Sequence, residues 1–197
     1  MLNKIKIFSL CLFSKLSYLV LQKIFGFDKW HINGAFWCRE YKREVASLIE
    51  EHSKLGVIEL GCGLGELSNK LSNKKFYIGI DSSASVINAA KFLNKLNSKT
   101  FKSGFFHEIS INFSKYDLFV CVNMAHDFSP TELVTILNSV VGGVDKIILD
   151  FITTPNDDEY NYKHNIDNLK KAGLSYKSFE VIKSFDEHRD IAIIQTK

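Results

Sequence analysis

Metal-ligand clusters, paired cysteines and a strong excess of charge are all missing from this 197-residue sequence. No group of His, Cys or Asp has the spacing of metal ligands, so we expect no metal ion. The four cysteines form no C-x-x-C pair; Cys62 and Cys121 fall in a predicted turn and strand, where free thiols act as small apolar side chains. A net charge of +3 does not by itself indicate nucleic-acid binding. These features predict one globular domain whose hydrophobic core is large enough to be stable without disulfides or a metal ion. The expected compartment is a reducing cytoplasm.

Residues 1–27 are rich in apolar side chains but contain no long uncharged run. The longest, Ile7–Ser14, is too short to span a bilayer, and Lys15 follows it directly. The small-residue cleavage site of a signal peptide is also missing. Two interpretations stay open for this segment: a helix that packs on the domain or covers its active site, and an amphipathic helix on the anionic inner face of a membrane. We divide the chain into a cap, residues 1–33, and a main domain, residues 34–197.

Apolar runs alternate with amphipathic segments along the main domain, after a predicted helix over residues 38–52. Strands are predicted over residues 55–60, 76–81, 100–106, 116–122, 145–152, 175–185 and 190–196. The first is followed by a glycine-rich turn and a predicted helix to about residue 72, and Ser129, Pro130 and Glu132 form a helix-start signature after the fourth. The alternation implies a parallel sheet, whereas the short last link allows only an antiparallel hairpin. The prediction is an α/β fold: a doubly wound, mostly parallel seven-stranded sheet with one antiparallel strand in a C-terminal hairpin and helices on both faces.

The glycine-rich turn carries glycines at positions 61, 63 and 65. Glycine alone allows positive φ angles and a close approach of backbone to a ligand, and a strand–turn–helix of this kind binds nucleotides. A dinucleotide fingerprint needs a third glycine where this chain has Glu66, whose carboxylate would oppose a pyrophosphate. Asp81 ends the next strand, 20 residues after Gly61, and can accept hydrogen bonds from both ribose hydroxyls. The pattern therefore favours a nucleoside without phosphates.

On these residues the chain resembles the class I S-adenosylmethionine-dependent methyltransferases. The stretch from Val57 to Gly65 is similar to the first motif of that family, and the stretch from Tyr77 to Ser82 is similar to the second. Residues 116–127 resemble the fourth-strand motif, and the closing hairpin resembles the family's reversed seventh strand. The resemblance runs from about Gly34 to the C-terminus and implies methyl transfer with S-adenosylmethionine as the cofactor. More loosely, the segment through Cys38 is similar to small methyltransferases of bacterial surface-polysaccharide biosynthesis.

The resemblance also implies roles for single residues. The methionine end of the cofactor is expected to contact Glu59, Gly61, Cys62 and Gly63. Asp81 is expected to hold the ribose, while Ser82 and His107 are expected near the adenine; the family usually has an Asp where this chain has His107-Glu108. Asn123 and Met124 are expected to flank the sulfonium. The resemblance further allows Arg39, on the helix before the first strand, to pair with the carboxylate of the cofactor.

Methyl transfer is an in-line displacement, so the protein mainly positions the acceptor. A hydroxyl acceptor also needs a general base, and His126 and His164 follow the fourth and fifth strands, where such a base is expected. His31, near the cap, could close over the site. Each of the three imidazoles could instead be an ordinary packing or surface residue. Asp150, at the end of the fifth strand, is either structural or contacts the acceptor.

The expected acceptor is a small molecule, a saccharide or a lipid-linked saccharide, methylated on oxygen rather than nitrogen. Trp30, Trp37, Tyr160 and Tyr162 are aromatic side chains that could stack on sugar rings or pack on an acyl chain. The chain lacks the Asn-Pro-Pro-Tyr element that follows the fourth strand in enzymes that methylate a flipped-out adenine, and we expect no nucleic-acid partner. Two alternatives are an NAD-dependent oxidoreductase of the Rossmann type and a non-catalytic S-adenosylmethionine-binding protein. The oligomeric state is not predicted.

Overall fold

A single sheet of seven strands organises the molecule. The computed structural model describes residues 2–71, 76–95, 99–153, 160–183 and 188–196. The strands are β1 (Gly56–Leu60), β2 (Phe76–Asp81), β3 (Thr100–Ser103), β4 (Leu118–Cys121), β5 (Lys146–Ile152), β6 (Ser178–Lys183) and β7 (Arg189–Gln195). They lie in the order β3-β2-β1-β4-β5-β7-β6. Pairing is parallel from β3 to β5, and β7 runs antiparallel to both β5 and β6. The predicted mostly parallel sheet with one reversed strand is confirmed.

Helices cover both faces of this sheet, as predicted. They are α1 (Leu2–Phe25), α2 (Trp30–Asn33), α3 (Glu40–His52), α4 (Ala84–Leu93), α5 (Pro130–Val140) and α6 (Ile166–Lys171). Helices α3 and α4 contribute Val45, Ile49 and Ile87 to the core on one face. Helices α5 and α6 contribute Leu133 and Leu169 to the core on the other. Strands β1 and β4 are buried along their whole length because both of their faces are covered.

The helix predicted after the glycine-rich turn does not form within the described residues. Residues 61–67 are turns, and only a short 3₁₀ helix, Ser68–Lys70, follows. The Ser68 hydroxyl bonds the carbonyl of Gly65 at 2.7 Å and the side chain of Asn94 at 3.0 Å. Such local bonds from a serine compete with helical hydrogen bonds. The predicted end of this helix, residue 72, lies outside the described residues.

Helix α1 packs on the main domain through one side. Leu21 is buried, and the Tyr18 hydroxyl donates to Glu66 at 2.6 Å. Cys11 forms a disulfide with Cys38, which the cysteine spacing did not reveal, whereas Cys62 and Cys121 are buried free thiols as predicted. By length and composition, the stretch Lys4–Phe25 is long and apolar enough to cross a membrane. The uncharged run Ile7–Ser14, on which we based the expectation that this segment does not span a bilayer, is only part of this continuous helix.

Candidate active site

The glycine-rich turn lies at the carboxyl end of β1 and has the backbone conformation that its glycines predict. Gly61, Gly63 and Gly65 have φ angles of 73°, 52° and 70°. The amides of Gly61 and Cys62 donate to the carbonyl of Ile80 at 2.8 and 3.0 Å, which fixes the turn against β2. A Cβ atom at position 61 would lie 2.9 Å from Cβ of Met124. A side chain is excluded there on both conformational and steric grounds.

Asp81 fixes the turn from the end of β2. Its Oδ2 atom accepts a hydrogen bond from the amide of Gly63 at 3.1 Å, and its Oδ1 atom accepts one from the amide of Ser83 at 3.0 Å. Each carboxylate oxygen has a second lone pair, so these bonds leave acceptor capacity for a ligand. Asp81 therefore holds the turn in place and presents a negative charge beside it.

A polar cavity lies directly over the turn. Its lining includes five of the predicted cofactor-binding residues: Glu59, Gly61, Cys62, Gly63 and Asn123. His31 and Lys42 close it from the side of the N-terminal segment, and Asn123 lines it from the end of β4. Glu59 is buried and accepts a short hydrogen bond from the Tyr77 hydroxyl. The turn, the cap and strand β4 thus meet around one small site.

Glu66 has a different role from the one that the sequence suggested. Its carboxylate accepts hydrogen bonds from Lys42 Nζ at 2.6 Å, the Tyr18 hydroxyl at 2.6 Å and the Phe36 amide at 2.7 Å. The charge is thereby neutralised inside the protein rather than presented to a ligand phosphate. Arg39, expected to face the cofactor, instead donates to the backbone carbonyl of Asn33 at 3.2 Å. Lys42, one turn later on α3, is the cation that lines the cavity.

A second, apolar cavity of about 420 Å³ lies beyond Asp81. Ser82 and His107, the two residues expected near the adenine, both line it. Its remaining lining is largely apolar and includes Phe106, Met124 and Phe128. A flat heteroaromatic ring suits such a slot, because stacking and apolar contact need no matched charge. The polar cavity, Asp81 and the apolar cavity therefore follow one another along the carboxyl ends of the strands.

Asn123, at the end of β4, is held by an ion pair that the sequence did not predict. Its amide donates to Asp150 Oδ1 at 2.8 Å, and its side-chain oxygen accepts from Arg189 Nη2 at 2.6 Å. Arg189 and Asp150 form a short, buried salt bridge. Asn123 has a φ of 57°, which is uncommon outside glycine, and these bonds stabilise it. The sequence signal was an arginine at the start of β7, directly before Asp190, and it carried no information about its distant partner Asp150.

Comparisons with known proteins agree with this geometry. Residues 57–143 match a family model described as a methyltransferase domain. The magnesium protoporphyrin IX methyltransferase ChlM from Synechocystis PCC 6803, crystallised with bound S-adenosylmethionine, is 17% identical with a TM-score of 0.62, over 80% of this chain and 78% of that chain. WbdD is 17% identical with a TM-score of 0.66, over 80% of this chain and 41% of that chain. The small RNA methyltransferase HEN1 is 15% identical with a TM-score of 0.64, over 80% of this chain and 25% of that chain.

Residues 57–143 are a methyltransferase domain, and the chain has the fold of the class I S-adenosylmethionine-dependent methyltransferases. A search of curated protein sequences gave no match. The solved structures share the fold of the methyltransferase at identities too low to transfer an acceptor. S-adenosylmethionine is the cofactor. The two cavities offer polar side chains and an apolar lining, which suit its charged and aromatic groups respectively. The carboxylate of Asp81 is the group expected to bind the ribose, and the apolar cavity is lined by Ser82 and His107, which are expected near the adenine.

The two histidines expected to be catalytic occupy different environments in the methyltransferase. His126 is half-buried beyond the end of β4, and its ring packs edge-on against Tyr160 with the centroids 4.6 Å apart. No partner for its Nδ1 atom is found among the described residues. His164 is buried, and its Nε2 atom lies 3.0 Å from the carbonyl oxygens of both Ala125 and Phe128. Through its Nε2 atom His164 fixes the loop that carries His126, and its Nδ1 atom, like that of His126, has no partner among the described residues.

The pKa of Glu59 gives cofactor binding a pH dependence. Burial raises the pKa of this carboxyl to about 8, although Tyr77 and Lys42 act in the opposite direction. Glu59 is therefore protonated at neutral pH in the free enzyme, whereas a cationic ammonium group bound beside it would favour the carboxylate. We expect the dissociation constant of S-adenosylhomocysteine to fall by roughly tenfold per unit as the pH rises from 6 towards 8, and to level off above.

Titration calorimetry between pH 6 and 9, in two buffers of different ionisation enthalpy, measures both the affinity and the proton released. Glu59→Gln is the matched control, because it keeps the shape of the side chain and cannot titrate. Its affinity should not change over this range. A wild-type affinity that stays equally flat, with no proton release, would contradict the assignment.

Proposed function

We propose that the enzyme transfers the methyl group of S-adenosylmethionine to a hydroxyl oxygen, on a small-molecule, saccharide or lipid-linked acceptor. The single observation that carries this proposal is the position of His126 beyond the carboxyl end of β4, in contact with Tyr160. Burial lowers the pKa of His126 below its usual value of about 6.5. The imidazole is therefore neutral at pH 7 and able to accept the proton that a hydroxyl loses on methylation.

The side chains around His126 also suit a sugar or an amphipathic acceptor. Tyr160 and Tyr162 precede α6, and Tyr162 is exposed. Trp30, which lines the polar cavity, is 53% exposed and stacks on His31 with ring centroids 3.9 Å apart. Exposed aromatic rings bind sugar rings or acyl chains through their apolar faces. This arrangement supports a saccharide or lipid-linked acceptor, as in surface-polysaccharide biosynthesis, and gives no reason to expect a nucleic acid.

The proposal requires that His126→Ala lower the rate of methyl transfer and spare cofactor binding. We expect kcat to fall by roughly 10²–10⁴-fold, the usual contribution of a general base, while the dissociation constant of S-adenosylhomocysteine stays within about twofold. His52→Ala is the control, because His52 contacts Lys146 at the other end of the sheet. Rates are measured with methyl-labelled cofactor. An unchanged kcat in His126→Ala would show that no base acts there.

The acceptor class is tested with a panel of hydroxyl and amine acceptors, including soluble glycans and isoprenoid-linked saccharides. Incorporation of labelled methyl into the hydroxyl compounds supports the proposal, and incorporation into amines alone contradicts it. Tight binding of S-adenosylhomocysteine with no transfer to any acceptor would favour a non-catalytic binding protein. Tight binding of NAD in its place would favour an oxidoreductase, which the methyltransferase-domain match disfavours.

The proposed location is the cytoplasm. The Cys11–Cys38 disulfide bears on this point, because disulfides persist in oxidising compartments and are reduced in the cytoplasm. A cytoplasmic enzyme would hold both residues as thiols in the cell, with the bond formed after lysis. Alkylation of thiols in intact cells followed by peptide mass spectrometry tests this. A disulfide that already protects both residues in the cell would rule the location out.

A further inference from the structure

One side of helix α1 exposes an apolar surface along nearly its whole length. Eight large apolar side chains of this helix are each at least 45% exposed: Ile5, Phe8, Leu12, Phe13, Leu16, Leu19, Val20 and Ile24. With about 100° of rotation per residue, all eight fall within one half of the helix circumference. We call them the outer face of α1. Contiguous apolar surfaces of this kind mark sites of contact with a partner or a membrane.

The opposite side of α1 is already in contact with the domain. Cys11 is bonded to Cys38, Leu21 is buried, and the Tyr18 hydroxyl bonds Glu66 at 2.6 Å. These three residues lie on the side of the helix opposite the outer face. A rotation that buried the outer face against the domain would break all three contacts. The outer face is therefore presented outwards by the fold itself.

The charge of α1 has one sign. Lys4, Lys6, Lys15 and Lys23 are its only charged residues, and they exceed the net charge of +3 of the whole chain. Helical spacing places Lys4 and Lys15 along one border of the outer face and Lys6 along the other. Lys23 falls within the outer face, two residues before the end of the helix, where its long side chain can carry the ammonium group to the lipid headgroups. Apolar side chains bordered by lysines are typical of helices that lie in the interface of an anionic membrane.

We propose that the outer face of α1 binds the surface of an anionic lipid bilayer, with the helix lying in the plane of the membrane. A second copy of the chain would bring the same four positive charges to the contact, whereas anionic headgroups complement them. A spanning orientation would carry Cys11 and Tyr18, with their partners Cys38 and Glu66, into the hydrocarbon. The apolar surface continues beyond α1, because Phe25 contacts Phe92 of α4, and Phe92 is 59% exposed. The proposal does not depend on which acceptor is methylated.

The test is flotation of the full-length protein with vesicles of phosphatidylcholine alone or with 30% phosphatidylglycerol, at about 0.1 M salt. The variant Phe8→Asp/Leu12→Asp places two carboxylates on the outer face. The variant Leu55→Asp/Val181→Asp makes the same change of charge at two exposed apolar residues elsewhere in the chain. Binding of S-adenosylhomocysteine confirms that each variant is folded. The oligomeric state is measured by light scattering, without vesicles.

We expect binding to the anionic vesicles, little to the neutral ones, and at least a tenfold loss of binding for Phe8→Asp/Leu12→Asp only. Equal binding by both variants, or no binding by the wild type, would overturn the proposal. A third outcome would also overturn the proposal: a wild-type protein that binds no vesicles and forms a dimer, with the dimer lost in Phe8→Asp/Leu12→Asp. The outer face would then join two copies of the chain. In cells, resistance of the full chain to carbonate extraction would indicate a spanning helix and would overturn the in-plane orientation.

Discussion

Replacing Asp81 with alanine is expected to weaken S-adenosylhomocysteine binding by about 10²–10⁴-fold. A carboxylate that accepts hydrogen bonds from two ribose hydroxyls contributes about 1.5–3 kcal/mol through each, since one partner is charged. The substitution also removes the bonds to the amides of Gly63 and Ser83, which hold the glycine-rich turn in place. The loss thus combines a direct contact with the order of the turn. Titration calorimetry with S-adenosylhomocysteine measures it.

Two further variants separate these contributions. Asp81→Asn keeps one oxygen acceptor and the size of the side chain, so we expect a smaller loss, about tenfold. Asp167→Ala removes an exposed carboxylate at the start of α6 and should bind the ligand as the wild type does. Thermal unfolding of each variant shows whether the fold survives. A folded Asp81→Ala protein with affinity within threefold of the wild type would remove Asp81 from the cofactor site.

Replacing Glu66 with alanine is expected to lower the free energy of unfolding by about 3–5 kcal/mol, the usual cost of leaving one partner of a buried ion pair alone. Lys42 would keep only its contact with the carbonyl of Gly34, at 2.5 Å. The Tyr18 hydroxyl would also lose its acceptor, and Tyr18 stays a neutral donor because burial and Glu66 raise its pKa. For a domain of this size the melting temperature should fall by roughly 10 °C.

The matched control is Glu40→Ala, which removes an exposed carboxylate that lies 3.8 Å from Arg43. A surface pair of this kind contributes little, so we expect a change in the free energy of unfolding below about 0.5 kcal/mol. Glu66→Gln keeps an acceptor for Tyr18 and removes the charge, and should fall between the two. Calorimetric melting compares all three. Equal melting temperatures for Glu66→Ala and Glu40→Ala would refute the role assigned to Glu66.

The parts of this molecule that local pattern determines were predictable from the sequence. The buried runs of β1 and β4, the positive φ angles of the glycine-rich turn and the capping box at the start of α5 all depend on residues close together in the chain. The positions of Ser82 and His107 beside one apolar cavity required only the resemblance and the order of the strands. These features are the basis for the predicted cofactor site.

The features that were not predicted from the sequence depend on contacts between residues that are distant in the chain. The helix expected after the glycine-rich turn is replaced by turns, in a segment where Glu66 bonds Tyr18 and Phe36. Arg189 pairs with Asp150, 39 residues away, and bonds the side chain of Asn123, which lines the polar cavity. Neither pairing leaves a periodic signal, because a single charged residue does not indicate which distant charge neutralises it. Tertiary contacts also decide that His164 bonds backbone carbonyls, whereas the ring of His126 packs against Tyr160.

The carboxylate of Glu66 has a consequence for regulation. It bonds Tyr18 on α1 and Lys42 at the wall of the polar cavity, so the docking of α1 and the shape of the cofactor site depend on the same group. Two equilibria that share a group are thermodynamically linked, and the linkage is reciprocal. If a lipid surface draws α1 away from Glu66 and weakens cofactor binding, the bound cofactor must oppose that movement by the same free energy. The affinity for S-adenosylmethionine would then report on the environment of a helix that does not touch it.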